Sequence, residues 1–328
     1  MSTPGTVRRE GADTCPGALT VHEAADGLLV RVRLAGGQLS GGALRALALA
    51  ADDLGDGRLE LTSRGNVQLR GLAPGDTVPL GERLALAGLL PSATHERVRN
   101  IVASPLAGVD RLVPSGPRGG NDAWIGVEQL VRDLDRELCA RPGLAALPGR
   151  FLFAVDDGRG DVADLGADIT MTCVHDAVLI AANRIPAGEA VATALRLAEA
   201  FLEIRSEQGS HAWRIAELAG GIAAVTARAG LRAAGGERIG PQYRTAEPVG
   251  VIEQPNGRQA LVVLAPLGRL TVDQALLVAG LSGTRGLRLT PWHSIVIADL
   301  ADASAAQQAA RTAGELGLGV DAQSPWYR

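Results

Sequence analysis

The chain has 328 residues, a formal net charge of −4 and 46% hydrophobic residues, which is the composition of a folded globular protein rather than a disordered or fibrous one. Its mild acidity argues against general nucleic-acid binding, and it holds no run of about 18 apolar residues that could span a membrane. Every one of the 32 basic residues is an arginine, so an anion site in this chain is built from guanidinium groups, which suit carboxylates and phosphates.

The first predicted unit covers residues 17–93 and follows a flexible tail over 1–16. Residues 18–34 predict two short strands around an Ala-Asp-Gly turn. Ser40 is positioned to cap a helix over 43–52. An alternating strand over 58–72 and a short helix over 80–90 complete a split β-α-β pattern of the ferredoxin-like kind.

The second predicted unit covers residues 94–240 and has an α/β pattern. A Gly/Pro-rich loop over 114–121 precedes an amphipathic helix over 127–138. Strands are predicted over 150–155, 167–173 and 177–182, followed by a long helix over 187–205. The segment 211–231 is predicted to be helical, with an interruption at Gly220-Gly221.

The third predicted unit, residues 241–328, repeats the first. Leu59-Glu60-Leu61-Thr62 matches Leu287-Arg288-Leu289-Thr290 at a separation of 228 residues, and Leu39-Ser40 matches Leu270-Thr271 at 231. The order of elements and the nearly constant offset favour a true repeat over chance similarity. By symmetry a second large α/β unit is expected after the third, so we expect a pseudo-two-fold α+β protein whose last domain is missing.

The strand predicted over 58–72 has an unusual polar face. Its polar residues recur at every second position, which places them on one side of a strand: Arg64, Asn66, Gln68 and Arg70. A solvated surface would give the same pattern. Two guanidinium groups with amides between them would, however, bind a ligand with several carboxylates. The repeat has Trp292, Ser294, Val296 and Ala298 instead, so the charged row is expected to serve one asymmetric ligand.

Further candidate binding residues lie in the second unit. Arg97, Arg99 and Asn100 form a basic cluster near its start, and Arg150 begins the Arg-Phe-Leu-Phe-Ala-Val strand. Surface arginines are the plain alternative for each of them. The sequence names no catalytic acid or base.

Several other kinds of site are excluded or unsupported. The histidines show no metal-ligand spacing, and the three cysteines, Cys15, Cys139 and Cys173, form neither a zinc motif nor an iron–sulfur motif. The absence of lysine excludes a Walker phosphate loop. Scattered cysteines predict a reducing, cytoplasmic location.

Two motifs resemble those of the nitrite and sulfite reductase superfamily: LTSRGNVQLRGL (61–72) and ERVRNIVASPLAG (96–108). Proteins of that superfamily alternate ferredoxin-like half-domains with larger α/β domains, twice over. The segments CPGAL (15–19), LPGRFLFAVDDGRGD (147–161) and LRLTPWHSIVI (287–297) are most similar to its precorrin-3B synthase branch.

The resemblance implies roles for individual residues. Arg64, Arg99 and Arg150 occupy positions that surround an acidic siroheme and its small oxyanion in the reductases. Leu152 stands where the reductases have a second lysine, which weakens an oxyanion-reducing function and suits a tetrapyrrole polycarboxylate as substrate. The resemblance also implies a [4Fe–4S] cluster with iron or siroheme, but this chain lacks the C-x5-C and C-x3-C ligands of the family.

The function expected from the resemblance is oxygen-dependent hydroxylation of precorrin-3A with lactone formation, in aerobic cobalamin biosynthesis. The expected partners are this acidic tetrapyrrole and an electron donor, with no nucleic acid and no membrane. Two alternatives stay open: a siroheme-dependent nitrite or sulfite reductase, and a tetrapyrrole-binding protein without catalysis.

Overall fold

The computed structural model describes residues 15–110, 126–174, 177–232 and 248–325. The predicted loop over 114–121 and most of the predicted tail lie outside these residues. None of the described helices is long and apolar enough to cross a membrane.

The described elements fall into three consecutive groups along the chain. The first group comprises β1 (His22–Ala24), β2 (Gly27–Val32), β3 (Gln38–Leu39), α1 (Gly41–Leu54), β4 (Arg58–Leu61), β5 (Val67–Leu72) and α2 (Thr77–Leu86). The second comprises β6 (Ile101–Ala103), α3 (Val127–Cys139), β7 (Phe153–Asp156), β8 (Ile169–Val174), β9 (Ala177–Ile180), β10 (Asn183–Pro186), α4 (Ala187–Glu207) and α5 (Gly221–Arg228). The third comprises β11 (Gly250–Glu253), β12 (Gln259–Leu264), β13 (Arg269–Thr271), α6 (Val272–Leu281), β14 (Leu287–Leu289), β15 (Ser294–Leu300) and α7 (Ala303–Glu315).

The first and third groups form two sheets that exchange a strand. One sheet has the order β1-β2-β5-β4-β13 and the other has the order β11-β12-β15-β14-β3. Each short edge strand, β3 or β13, therefore pairs with the opposite group. Leu39 and Leu270, which align in the sequence comparison of the two units, lie on these exchanged strands. Leu39 pairs with Leu287 on the neighbouring strand β14, and Leu270 pairs with Leu59 on the neighbouring strand β4.

Each exchanged strand leads directly into a capped helix. The Ser40 hydroxyl accepts a hydrogen bond from the Ala43 amide at the start of α1, as the sequence predicted. Thr271 and Gln274 form a reciprocal capping box at the start of α6. Because α1 and α6 pack on the two sheets, a single apolar core runs through both groups.

The second group has its own sheet and core. Its strand order is β10-β9-β8-β7-β6, with β6, β7 and β8 parallel and the remaining pairs antiparallel. Helices α3 and α4 cover this sheet, and Phe151, Phe153 and Phe201 lie at the centre of the core.

Several predicted boundaries differ from the structure. The strand predicted over 58–72 is two strands, because a turn interrupts it between Leu61 and Val67. Helix α2 begins and ends earlier than predicted, and Gly88 follows it with a φ of 72°. The predicted helix over 211–231 is a 3-10 turn at Ile215–Glu217 followed by α5, since Gly220 and Gly221 both have positive φ.

The exchanged strand β13 makes one clear stability prediction. Leu270 is fully buried in the shared core, so Leu270→Ala should lower the free energy of unfolding by about 3 kcal/mol. The matched control is Leu86→Ala, because that side chain is 90% exposed at the end of α2. Urea denaturation measures both; equal, small effects for the two variants would contradict the role of β13 in the core.

Candidate functional site: an arginine-lined cleft

The turn between β4 and β5 carries Arg64 away from its sheet. The Thr62 hydroxyl accepts from the Asn66 amide at 3.1 Å, which closes the turn. Gly65 has a φ of 66°, and a Cβ atom there would lie 2.9 Å from the Leu289 carbonyl oxygen. The turn therefore needs glycine where it meets β14, and it presents the half-buried Arg64 side chain next to the second group.

Two more arginines reach the same region from β2. Arg31 lies opposite Gln68 in the β2–β5 pair and donates to the Gln68 side-chain oxygen through Nε at 3.0 Å. Arg33 follows β2 and is 2% exposed. Its Nε donates to Asn100 Oδ1 at 2.9 Å and its Nη1 to the Pro16 carbonyl oxygen at 3.0 Å, whereas its Nη2 has no hydrogen-bond partner among the described residues.

The second group supplies the other wall. Arg150 lies just before β7, and its guanidinium carbon is 5.3 Å from the centre of the Trp213 ring. The adjacent Arg214 donates through Nε to Asp168 Oδ2 at 2.6 Å. Asp168 also accepts from the backbone amides of Leu152 and Ile215, so it fixes the segment that carries both Trp213 and Arg214.

These arginines are close enough to influence one another. Burial lowers the pKa of Arg64, and the positive charge of Arg214 lowers it further, with Arg31 and Arg150 acting in the same direction. Burial also lowers the pKa of Arg33 to about 9, and the charge of Arg31 contributes to that shift. We call the surface formed by Arg31, Arg33, Arg64, Arg150 and Arg214 the arginine cleft.

The arginine cleft has a large excess of positive charge. Within the described ranges, Arg31, Arg33, Arg64 and Arg150 have no carboxylate oxygen within 4.0 Å, and only Arg214 has an acidic partner. Burial of Arg33 and partial burial of Arg31 and Arg64 raise the electrostatic free energy of the protein. The negative charge of Glu96 offsets part of this cost at Arg33, and Arg150 is exposed. An anionic ligand with several carboxylates would relieve this repulsion.

An apolar patch adjoins the charged wall. Phe151 lies in the core of the second group, whereas Leu152 lies in a separate apolar cluster. Arg150 precedes them in a turn and is exposed. Leu152 is buried in an apolar cluster against which Trp292 packs. Trp292 occupies the turn between β14 and β15 at the position that corresponds to Arg64, and His293 there has a φ of 64°, like Gly65 in the first turn.

The structure corrects the predicted polar row. Arg64, Asn66, Gln68 and Arg70 do not share one face, because β5 begins only at Val67 and Arg64 belongs to the turn. Asn66 is buried and accepts from the Leu34 amide at 2.9 Å, which is a structural role. Gln68 holds Arg31 at the cleft, whereas Arg70 pairs with Asp26 at 2.8 Å in the exposed β1–β2 hairpin.

The residues of the predicted Arg97–Asn100 cluster also lie in different environments in the structure. The Arg99 guanidinium makes two hydrogen bonds of 2.7 Å to Asp135 on α3, so its charge is already compensated. Asn100 is buried between Arg33 and the Gly149 carbonyl oxygen, to which its amide donates at 2.6 Å, and it thereby positions groups next to Arg150. Arg97 lines a separate cavity.

Three members of the arginine cleft were not predicted. Arg31 and Arg33 stand two residues apart in a Val-Arg-Val-Arg stretch, so the alternation that was used for residues 64–70 could have identified them. No comparable signal marks Arg214, because a tertiary contact with Asp168 brings it to the cleft.

The described residues fit a carboxylated macrocycle better than a metal cluster. Arg31, Arg64, Arg150 and Arg214 could hold the carboxylates of a siroheme or of another acidic tetrapyrrole. Among the described residues, no group of three or more His, Cys, Asp or Glu side chains is arranged to hold a metal ion. Burial raises the pKa of the Cys139 thiol to about 11 and that of Cys173 to about 12, which disfavours the thiolates that ligate iron. The described residues therefore do not form an iron–sulfur site.

The Arg99–Asp135 pair can be tested separately from ligand binding. Asp135→Asn leaves the buried Arg99 guanidinium without its counter-charge, and we expect the free energy of unfolding to fall by roughly 3 kcal/mol. Affinity of the folded variant for uroporphyrin should stay unchanged, because Asp135 and not a ligand compensates the charge of Arg99. The control is Asp133→Asn on the exposed side of the same helix, which should have little effect. Urea denaturation is the measurement, and an unchanged midpoint for Asp135→Asn would contradict this assignment.

Comparisons with known proteins agree with this fold. Residues 21–87 match the family described as nitrite/sulfite reductase ferredoxin-like half domain. The solved structure of Mycobacterium tuberculosis NirA superposes with a TM-score of 0.70 at 21% sequence identity, over 95% of this chain and 61% of that chain. At this identity, the similarity establishes the fold alone.

Curated relatives come from two functional classes. A ferredoxin–nitrite reductase of Synechococcus elongatus is 28% identical over 84% of this chain and 59% of its own length. A precorrin-3B synthase of Sinorhizobium sp. is 38% identical over 52% of this chain and 34% of its own length. The chain thus spans between a third and three fifths of these relatives. Residues 21–87 thus match the nitrite/sulfite reductase ferredoxin-like half-domain family, and the chain is similar to both kinds of oxidoreductase.

Proposed function

We propose that the arginine cleft binds a tetrapyrrole with several carboxylates and that the chain acts as an oxidoreductase of the precorrin-3B synthase type. The observation that carries this proposal is the gathering of four guanidinium groups without carboxylate partners in the described part of the chain: Arg31, Arg33, Arg64 and Arg150. A ligand with acetate and propionate groups along its rim matches several separated guanidinium groups better than one small anion does.

The apolar side of the cleft supports a bulky ligand. Trp292 is partly buried and packs against the apolar cluster that holds Leu152, two residues from Arg150, and a macrocycle presents an apolar face together with a charged rim. Leu152, which packs in the same apolar cluster as Trp292, is uncharged. The apolar residue at position 152 adds no cation to those of the cleft, and this favours a tetrapyrrole as substrate over nitrite or sulfite.

In the proposed reaction, precorrin-3A is hydroxylated with molecular oxygen and a lactone forms, while an external donor supplies electrons. Four arginines bind and orient the substrate carboxylates: Arg31, Arg64, Arg150 and Arg214. Gln68 holds Arg31 in place, and Asp168 holds Arg214. Iron and a [4Fe–4S] cluster supply the redox chemistry in the related oxidoreductases. The described residues form no site for such a cluster.

The second candidate is a siroheme-dependent nitrite or sulfite reductase. The extent of the alignments favours this second candidate, because the nitrite reductase of Synechococcus elongatus aligns with 84% of this chain and the precorrin-3B synthase with 52%. The same guanidinium groups would then bind the carboxylates of siroheme as a resident cofactor.

Binding can be tested with uroporphyrin, an octacarboxylate, by fluorescence titration. Arg64→Gln and Arg31→Gln should each weaken binding about tenfold or more, because each removes a charge-assisted hydrogen bond worth roughly 1.5–3 kcal/mol. The matched control is Arg70→Gln, since Arg70 comes from the same hairpin as Arg64 but pairs with Asp26 outside the cleft. Equal affinities for the Arg64→Gln and Arg70→Gln variants would contradict the proposed site.

The two candidate reactions leave different products. With precorrin-3A, a reductant and ¹⁸O2, the proposed activity places labelled oxygen in the tetrapyrrole. With siroheme, a reductant and nitrite, the alternative yields ammonium. Tight binding of uroporphyrin without either product would favour a tetrapyrrole-binding protein without catalysis.

A further inference from the structure

The three cysteines of the chain lie in different surroundings. Cys15 and Cys139 are partly buried, whereas Cys173 is buried. Burial and the negative charge of Asp135 raise the pKa of Cys139 to about 11, and burial raises that of Cys173 to about 12. Cys15 lies instead among the positive charges of the arginine cleft.

Hydrogen bonds hold the segment 15–17 against β2. The backbone amide of Arg31 donates to the Gly17 carbonyl oxygen at 2.9 Å, and Arg33 Nη1 donates to the Pro16 carbonyl oxygen at 3.0 Å. A Cβ atom at position 17 would overlap the Glu96 carboxylate, so this close packing requires glycine. The segment therefore places Cys15 beside the strand that carries two of the cleft arginines.

Three guanidinium groups lie within electrostatic reach of the Cys15 sulfur. Burial lowers the pKa of each of these three: Arg31, Arg33 and Arg64. A negative charge on Cys15 opposes that shift in all of them. By the same attraction, the arginines stabilise a thiolate at Cys15 relative to the neutral thiol, and a partly exposed thiolate among cations is a nucleophile.

Glu96 offsets only part of this positive charge. Its carboxylate accepts hydrogen bonds from the Ala18 amide and the Thr20 hydroxyl, and its negative charge acts on Arg33. Arg31 and Arg64 have no carboxylate oxygen within 4.0 Å in the described ranges. The described charges around the Cys15 sulfur are therefore positive on balance.

Arg33 gives a second, independent sign that a ligand binds beside Cys15. Its side chain is 2% exposed, and its Nη2 is buried without a hydrogen-bond partner in the described part of the chain. Nη2 belongs to the guanidinium group that contacts the Pro16 carbonyl oxygen, so the unused donor lies next to the segment that carries Cys15. A buried donor without a partner destabilises the folded state unless a ligand or water satisfies it, and an anionic oxygen is a strong acceptor for a guanidinium group.

We propose that Cys15 is a reactive thiol that forms a mixed disulfide with a small anionic disulfide, for which oxidised glutathione is the probe. The Cys15 thiolate attacks one sulfur atom of the disulfide, a new S–S bond forms as the old one breaks, and the other half leaves as a thiolate. Cys15 is thereby oxidised and the leaving thiol is reduced. The carboxylates of the half that stays attached bind the guanidinium groups of the cleft. This proposal needs only the positive charge around Cys15 and is independent of the tetrapyrrole proposal.

The experiment treats the reduced full chain with an excess of oxidised glutathione near neutral pH and follows each cysteine by peptide mass spectrometry after acid quenching. Cys15 should be modified about tenfold or more faster than Cys139, because the rate of exchange follows the fraction of thiolate. Cys139 is a matched control within the same molecule, since it is also partly buried but lies beside Asp135.

Two variants and a change of reagent identify the cause of the reactivity. Arg31→Gln and Arg64→Gln should each slow the modification of Cys15 several-fold, whereas Arg70→Gln, which lies outside the cleft, should leave it unchanged.

In the unaltered protein, the ratio of alkylation by anionic iodoacetate to alkylation by neutral iodoacetamide should be higher at Cys15 than at Cys139, and added salt should reduce the difference. This comparison does not depend on the folding of any variant. Modification of Cys15 no faster than that of Cys139 would overturn the proposal. Equal rates in the Arg64→Gln and Arg70→Gln variants, with the same alkylation ratio at both cysteines, would overturn it as well.

Discussion

The uncompensated charge of the arginine cleft is the constraint on which this account depends. The guanidinium groups of Arg31 and Arg33 are held by neutral acceptors, namely the Gln68 and Asn100 side chains and a backbone carbonyl, and Arg150 lies over the Trp213 ring. Neutral acceptors fix the direction of a guanidinium group without cancelling its charge. The fold therefore maintains a preorganised cationic surface, and the polyanion that we propose as its ligand would supply the missing counter-charge.

The two sheets of the first and third groups, which have matching strand orders, explain how this surface becomes asymmetric. Exchange of β3 and β13 joins the two sheets into one core, so the Thr62–Asn66 turn and the Thr290–Ser294 turn are held in corresponding positions. One turn presents Arg64 and the other presents Trp292. A single scaffold thereby places a charged wall and an apolar wall against the same segment of the second group, which suits a ligand with a flat apolar body and a charged rim.

Local signals in the sequence predicted most elements, because caps and periodicity depend on near neighbours. The Ser40 cap, the apolar face of α3 and the hairpin around Asp26 are examples. The site was harder to predict, since its charges are set by tertiary contacts. Arg64 was predicted as part of a strand face that does not exist. Arg99 was predicted to bind the ligand, although Asp135 on α3 compensates its charge. Sequence alternation shows which arginines share a strand but not which of them have acidic partners.

The central claim is tested most directly by locating bound anions in crystals of the full chain. Anomalous scattering from crystals soaked in sodium bromide would show where anions are attracted. The account predicts bromide peaks between the guanidinium groups of Arg31, Arg64 and Arg150 and none beside Arg99 or Arg70. The account would be contradicted if no bromide peak lay in the cleft and carboxylates from another part of the chain were in contact with those guanidinium groups.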